Sequence, residues 1–389
     1  MNSKIGVRDV LMSSGNFTKE VVIITKDKKE IYESSPEGFT IGLKELKKSD
    51  INKEEINLLL SKLYTTELTQ KEFDKNVASK FGVDISTALS LTHLRYLSHT
   101  KGFKNQKLFE FISRYYSKNK NISIPICNIL NGGKHAGNGL DMCEFMIIPQ
   151  GKDAEENIRI ASEVYLDLQN LIKTRLGQGH CMVGREGGFA PNISDVKFAI
   201  SLIQTGIDIR NKDKCGIALD VAANNFALKQ NNKYYYILNS HKYTTQELVE
   251  YYMNLIKEFP NIIYLEDPFH EEDISGWKKL NSLVNNKILI VADDLTTSNI
   301  KYLKKYLGCF NSCILKCNQI GNITDLVESF NFCLKNNIKT IISQRSGETD
   351  SSILTHLSIG LGADYIKAGA PARERIIKYN ELLMLKNET

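Results

Sequence analysis

The sequence predicts an eight-stranded α/β barrel standing behind an N-terminal α+β capping domain, and three observations lead there. The chain has 389 residues, more than one ordinary domain needs and enough for a barrel with an appendage. Its texture changes near residue 117, from strands followed by helices to short apolar strands alternating with amphipathic helices. In that second part, strand after strand ends on a charged residue. The expected division is a cap over 1–117 and a catalytic barrel over 118–389.

The cap opens on strand-like segments such as Val21-Val22-Ile23-Ile24-Thr25, then a loop rich in Ser, Pro, Gly and Thr from Ser34 to Gly42. Apolar residues recur at helical spacing from Glu54 through Ser98 and from Gln106 to Tyr116. Strands first and helices second is an α+β order. From Ile122 the rhythm is β-then-α. Strands are expected at Cys215–Val221, Ile262–Leu265, Ile288–Ala292, Cys313–Leu315, Thr340–Ser343 and Tyr365–Ile366, with a helix such as Thr245–Glu258 between neighbours. Such units over the rest of the chain have the length of a closed barrel.

Composition narrows the function classes. Hydrophobic residues at 42% and charged residues at 24% describe a chain that buries a core. The 50 basic and 45 acidic residues are spread along the chain, and no basic block interleaves with aromatics, so no nucleic-acid surface is expected. No apolar run approaches the roughly 20 residues that span a bilayer. Residues Met1 to Ile5 lack an apolar signal core, so no membrane contact and a cytoplasmic location are expected. The 8 cysteines form no Cys-x-x-Cys pair and are expected as free thiols. Cys309, Cys313 and Cys317 are spaced too widely for a structural zinc site, and Cys313–Cys317 reads as a buried strand with alternating side chains.

Asp220 closes Gly216-Ile217-Ala218-Leu219, Glu266 closes Ile262–Leu265, and Asp293 closes Leu289–Ala292. Lys316 and Lys367 end two later strands. Barrel active sites lie at the C-terminal strand ends, so these five side chains are expected in one cup. Singly, such an acid is better explained as a helix cap or a solvated loop residue, and such a lysine is as well explained as its salt-bridge partner. Three carboxylates on three successive strands form an oxygen-only set suited to Mg²⁺ or Mn²⁺. Taking a proton from carbon beside a carboxylate builds a second negative charge, which divalent cations stabilise. A lysine serves as base there only if it is neutral, and neighbouring cations favour that state.

Longer motifs add to this reading. Asn131-Gly132-Gly133-Lys134-His135-Ala136-Gly137-Asn138, Gly187-Gly188-Phe189-Ala190-Pro191, Leu265-Glu266-Asp267-Pro268-Phe269 and Asp293-Asp294-Leu295-Thr296 resemble the signature of the enolase family. Lys316-Cys317-Asn318-Gln319-Ile320-Gly321, Arg345-Ser346-Gly347-Glu348-Thr349 and Ser13-Ser14-Gly15-Asn16-Phe17-Thr18 continue the likeness, in family order, over nearly the whole chain. The resemblance implies an enolase-type barrel and a Mg²⁺-dependent dehydration of 2-phosphoglycerate to phosphoenolpyruvate, a step of glycolysis. It implies Asp220, Glu266 and Asp293 as ligands of a first Mg²⁺, with Thr40 and substrate oxygens holding a second that arrives with substrate. Lys316 is then the base and Glu186 the acid, with Glu144 beside it. Lys367 faces the substrate carboxylate, Arg345 and Ser346 the phosphate, and His135 belongs to a loop that closes over the substrate. A homodimer is implied as well.

The chain departs from the family pattern around the substrate. The family histidine before the phosphate-binding arginine is Gln344, and the glutamine before Glu144 is Cys143. Arg185 replaces an aspartate beside Glu186, Phe39 adds bulk to the Thr40 loop, and Leu382-Leu383-Met384 replaces Leu-Leu-Arg. The metal ligands and both lysines are kept. Three readings stay open: dehydration of 2-phosphoglycerate, action on a phosphonate or another phosphorylated hydroxy acid, and an enolase-like binding protein without turnover.

Overall fold

The computed structural model describes residues 4–38, 44, 56, 67–78, 80–103, 106–117, 121–210 and 215–386. Three antiparallel strands come first: β1 (Lys4–Leu11), β2 (Phe17–Ile24) and β3 (Glu30–Ser34), paired in that order. Helices α1 (Gln70–Ala78) and α2 (Val83–Lys101) lie against them. Val21 meets Phe73, Val77, Ile85, Ala88 and Leu89 in one small buried cluster. Among the described residues the helical spacing gives two helices within 70–101 with Ile56 helical as well, and α3 (Leu108–Tyr116) completes the run. Thr40 and Phe39 lie outside the described residues.

A closed barrel follows, in the strand order β10-β11-β12-β13-β14-β4-β5-β6. Its strands are β4 (Ile124–Asn131), β5 (Glu144–Pro149), β6 (Cys215–Asp220), β10 (Ile262–Glu266), β11 (Leu289–Ala292), β12 (Ser312–Leu315), β13 (Lys339–Ser343) and β14 (Tyr365–Lys367). Ile126, Met146, Ala218, Val291, Ile314 and Ile341 fill the barrel interior, while Cys127, Phe145, Leu219, Ile290 and Leu315 pack outward into the main core. Both faces of these strands are buried, which is why they read as continuous apolar runs.

Two features depart from a uniform β-then-α rhythm. β5 pairs antiparallel with both β4 and β6, joined to β4 without an intervening crossover helix. After β6 the chain makes a small antiparallel sheet of β7 (Ala227–Gln230), β8 (Lys233–Leu238) and β9 (His241–Thr244). Thr244 then caps the next helix, Thr245–Glu258, in a reciprocal arrangement with Glu247.

The cap reaches the barrel through backbone pairing. Glu37 and Gly347 exchange N–H···O bonds of 2.9 and 2.8 Å, and Ser13 donates its backbone N–H to Glu348 at 2.7 Å. The loop after β13 is therefore held from the cap side. No described helix is long and apolar enough to cross a membrane.

Candidate active site

Side chains on a strand alternate faces, so a residue two positions beyond an inward-facing core residue also faces inward. Asp220 stands two beyond Ala218, Glu266 two beyond Tyr264, Asp293 two beyond Val291, Lys316 two beyond Ile314 and Lys367 two beyond Tyr365, all five references being interior residues. The five charges therefore form the top layer of the barrel filling. Glu144 joins from the other direction. It starts the antiparallel β5, two positions before interior Met146, and its register partner is Asp220. Antiparallel placement of β5 explains why the first residue of one strand meets the last residue of the next.

The layer is closely paired. Lys367 Nζ lies 2.8 and 2.9 Å from the two Glu266 oxygens, 2.9 Å from Glu144 Oε2 and 3.5 Å from Asp220 Oδ2. Tyr264 donates its hydroxyl to Glu266 at 2.5 Å. Lys316 Nζ meets Asp293 Oδ2 at 2.5 Å, while Gln319 donates to Asp293 Oδ1 at 3.0 Å. Burial drags on the Lys367 ammonium, yet the charges of Glu144, Glu266 and Asp220 outweigh it and hold its pKa well up. Burial likewise opposes the Lys316 ammonium, and Asp293 keeps it protonated. Asp293 shows the converse: burial would raise it, and Lys316 brings it below the usual carboxylate range. Asp220 is pushed well above that range by burial and by the charge of Glu266.

Whether these residues suit a cation follows from that balance. Four carboxylates (Glu144, Asp220, Glu266, Asp293) face two ammonium groups. With all four ionised the excess is two negative charges, and that excess and the all-oxygen donor set fit one hard divalent cation. Among the described residues, the groups whose ligand atoms already lie within 4.8 Å of one another are His135 with Glu144 and Glu186, and Asp267 with Asp293 and Asp294. Asp220 and Glu266 are instead bridged by Lys367. These are acidic groups, buried apart from the half-buried Asp294, that could hold a metal ion.

The rest of the cup is built by loops. The cleft of about 640 Å³, open to solvent, is lined by Lys316, Glu186, Glu144, His135, Lys367, Arg345, Ser346, Gln344, Cys143, Asp220 and Asp293. Glu266 lies beneath it, 1% exposed and bonded to Lys367. His135 sits on a single helical turn, Gly133–Ala136, with Nδ1 3.2 Å from Glu144 Oε1. Burial pulls its imidazole down, and Glu144 and Glu186 more than compensate. Glu186 Oε2 accepts from Gln344 Nε2 at 3.0 Å and from Asn128 Nδ2 at 3.4 Å. Cys143 Sγ accepts from Asn225 at 3.3 Å, and burial with the nearby Asp220 charge pushes its thiol up. Arg185 is exposed, whereas the adjacent Glu186 is buried.

Several contributors escape a reading of the sequence. Arg375, fully buried, donates to Gln344, to the backbone of Arg345 and Ser346, and to the carbonyl of Arg185. Asp267 accepts from the backbone N–H of Asp293 and Asp294 at 3.1 and 2.9 Å, fixing the turn after β11. Asn224 and Asp294 line the cup as a hydrogen-bonded pair of 3.1 Å. Asp267 and Gln319 at least stand inside quoted motifs; nothing local marks Arg375.

Comparison with known proteins agrees with this geometry. Residues 119–389 match the family model described as enolase, C-terminal TIM barrel domain. A protein named enolase from Sulfolobus acidocaldarius is 39% identical over 79% of this chain and 73% of its own length. Enolases of Ehrlichia ruminantium and Methanocaldococcus jannaschii are 36% and 34% identical over 99% of this chain, covering 96% and 94% of theirs. Membership makes a lyase-type enzyme the coarse functional assignment. With barrel, acidic cup and end-to-end similarity in agreement, this chain belongs to the enolase family.

Proposed function

We propose that the protein is a Mg²⁺-dependent hydro-lyase that converts 2-phosphoglycerate to phosphoenolpyruvate. The observation that carries the proposal is the single cup in which Lys316 and Glu186 line one cleft together with Arg345, Ser346 and Lys367. This supports a reading in which one cleft supplies a base for the carbon-bound proton, an acid for the leaving hydroxyl and cations for phosphate and carboxylate. Asp220, Glu266 and Asp293 are the proposed holders of the first Mg²⁺, with Thr40 for a second. Bound there, Mg²⁺ supplies Lewis-acid stabilisation of the charge that builds on the substrate carboxylate.

On this reading Lys316 takes the proton, and its release as a free base requires the Asp293 charge to be engaged elsewhere, which is the ligand role assigned to Asp293. Glu186 protonates the departing hydroxyl, with Glu144 and His135 beside it. Arg345 presents a planar fork matched to phosphate oxygens, and Ser346 adds a hydroxyl. Lys367 neutralises the substrate carboxylate. Gln344 and Cys143 complete the wall, and because both differ from the family pattern, a phosphonate or another phosphorylated hydroxy acid is the second reading.

The division into a cap over 1–117 and a barrel over 118–389 is proposed alongside, as are a cytoplasmic place in glycolysis and a homodimer. Leu11 and Phe17 support the last: they are register partners at one end of the β1–β2 pair and are 61% and 67% exposed. A monomer in sedimentation at micromolar concentration would remove the dimer.

The test is ultraviolet absorbance after mixing protein, Mg²⁺ and 2-phosphoglycerate, with Lys316→Ala as blank. An enol-phosphate signal in the parent alone is expected. Its absence, with Mg²⁺ shown to raise the unfolding temperature, would transfer the proposal to the second reading.

A further inference from the structure

We infer that Arg375 is a positioning residue that fixes the donor-to-acceptor direction of Gln344 and thereby decides which oxygen of Glu186 carries the transferable proton. The inference deepens the reading of Glu186 as acid and rests on it. A guanidinium has donors only. Arg375 Nη1 is 2.9 Å from the Gln344 side chain, so the carbonyl end of that amide, Oε1, must face it. The amide end then points the other way, where Nε2 lies 3.0 Å from Glu186 Oε2. Asn128 places a second N–H on the same oxygen at 3.4 Å. An oxygen accepting from two donors does not hold the proton between them, so a protonated Glu186 carries its hydrogen on Oε1.

The cage around Arg375 shows that its direction is not free to change. Nη1 also donates to Arg345 O at 3.0 Å, and Nη2 donates to Ser346 O at 2.6 Å and Arg185 O at 3.1 Å. Nε faces Glu374 Oε1 at 2.9 Å. One buried cation therefore ties the backbone beside the acid to the loop that carries Arg345 and Ser346. Gly369 leaves the space in which the amide lies: its φ is +83°, and a Cβ there would stand 2.8 Å from Gln344 Nε2.

The same geometry gives the departure at position 344 a physical meaning. A histidine in this place would have to offer Arg375 a bare ring nitrogen and Glu186 an N–H. It would act as a neutral acceptor-to-donor bridge, and a glutamine amide has that polarity without titrating. Position 344 is thus a polarity relay, for which glutamine is a working substitute.

Near-isosteric changes test this in the full-length protein. Gln344→Met removes both hydrogen bonds, and Gln344→Glu reverses the contact with Glu186. Each is expected to lower kcat for 2-phosphoglycerate about 100-fold, with KM moved less than about threefold, as for loss of a group acting on proton transfer. Gln344→His, which can restore the polarity, is expected to recover about tenfold in kcat over Gln344→Met. Full activity in Gln344→Met, or no recovery in Gln344→His, would overturn the inference.

A second measurement is independent of turnover. With glutamine side-chain nitrogen labelled, the Gln344 amide resonance, identified by its loss in Gln344→Met, is expected to be slow to exchange in the parent. It is expected to lose that protection in Arg375→Lys, whose shorter ammonium lacks the fork. Unchanged protection in a folded Arg375→Lys would overturn the role of Arg375. If that variant does not fold, the three Gln344 variants decide alone. Protection lost as expected, in a protein inactive towards 2-phosphoglycerate, supports the relay and sinks only the substrate reading.

Discussion

The two halves of the cup are made in different ways. One half (Asp220, Glu266, Lys367 and Glu144, with Asp293 and Lys316 one step beyond their strands) is the top layer of the barrel filling, held by ladder register. The other half (Glu186, Gln344, Arg345 and Ser346) stands on loops that carry no register of their own and are pinned by Arg375 and by the cap. The strand-end half balances charge against charge; the loop half is satisfied chiefly by backbone carbonyls and amides. Damage to the first should therefore appear in chemistry and stability, and damage to the second in geometry.

The largest effect is expected in the strand-end half. Lys316→Ala should lower kcat by about a thousandfold or more, the scale of losing a general base, while circular dichroism and Mg²⁺ protection stay near the parent. Residual turnover within tenfold of the parent would remove Lys316 as base. Lys367→Met comes next, because it leaves Glu144, Asp220 and Glu266 facing one another without their shared ammonium. Removing one partner of such a buried cluster costs about 3 kcal/mol or more, readable as a fall in urea midpoint at pH 7. An unchanged midpoint would mean that the layer is held by packing and not by charge.

An acid titration of that layer must first be separated from the cap. His93, stacked on Phe73 with centroids 4.0 Å apart, is held by burial at a pKa of about 4. The unfolded chain binds that proton near 6.5, so the folded state is underprotonated between the two values. His93 thus leaves stability intact above about pH 6.5 and removes about 3 kcal/mol as the pH falls towards 4. His93→Gln should flatten that part of the stability–pH curve in chemical denaturation. An equally steep fall in the variant would assign the acid sensitivity to the cup instead.

The two halves also differ in how far they can be read from sequence. Strands β6 and β10–β14 are legible because both faces are buried, and the charged residue ending every one of these apolar runs except β13 marks the rim. The direction of β5 is not legible: Phe145–Pro149 is apolar either way, so Glu144 entered by resemblance to a family, not by rhythm. The β7–β9 sheet escapes because its strands are largely solvated, with Tyr236 and Leu238 their only fully buried side chains. Arg375 escapes for a deeper reason. Most of its partners are carbonyls of residues 185, 345 and 346, and every residue type carries a carbonyl, so beyond the Gln344 and Glu374 side chains no residue pattern encodes the contacts.

The smallest expected effect bears most directly on the loop half. Gly38 lines the cup, and a Cβ there would lie 1.9 Å from Arg345 Nη2. The clash is with the far end of a flexible side chain, so Gly38→Ala should fold normally and push the guanidinium aside. Arg345 is also aligned by Asn318, whose Oδ1 lies 3.4 Å from Nη1 and whose amide holds Pro36 O at 2.7 Å. Displacing the fork should therefore weaken phosphate contacts in substrate and transition state alike. KM is then expected to rise about tenfold with kcat changed less than about threefold. A fall in kcat at constant KM would show instead that Arg345 acts on the transition state alone. In that case the loop half, for all its dependence on backbone pinning, takes part in the chemistry as directly as the strand ends do.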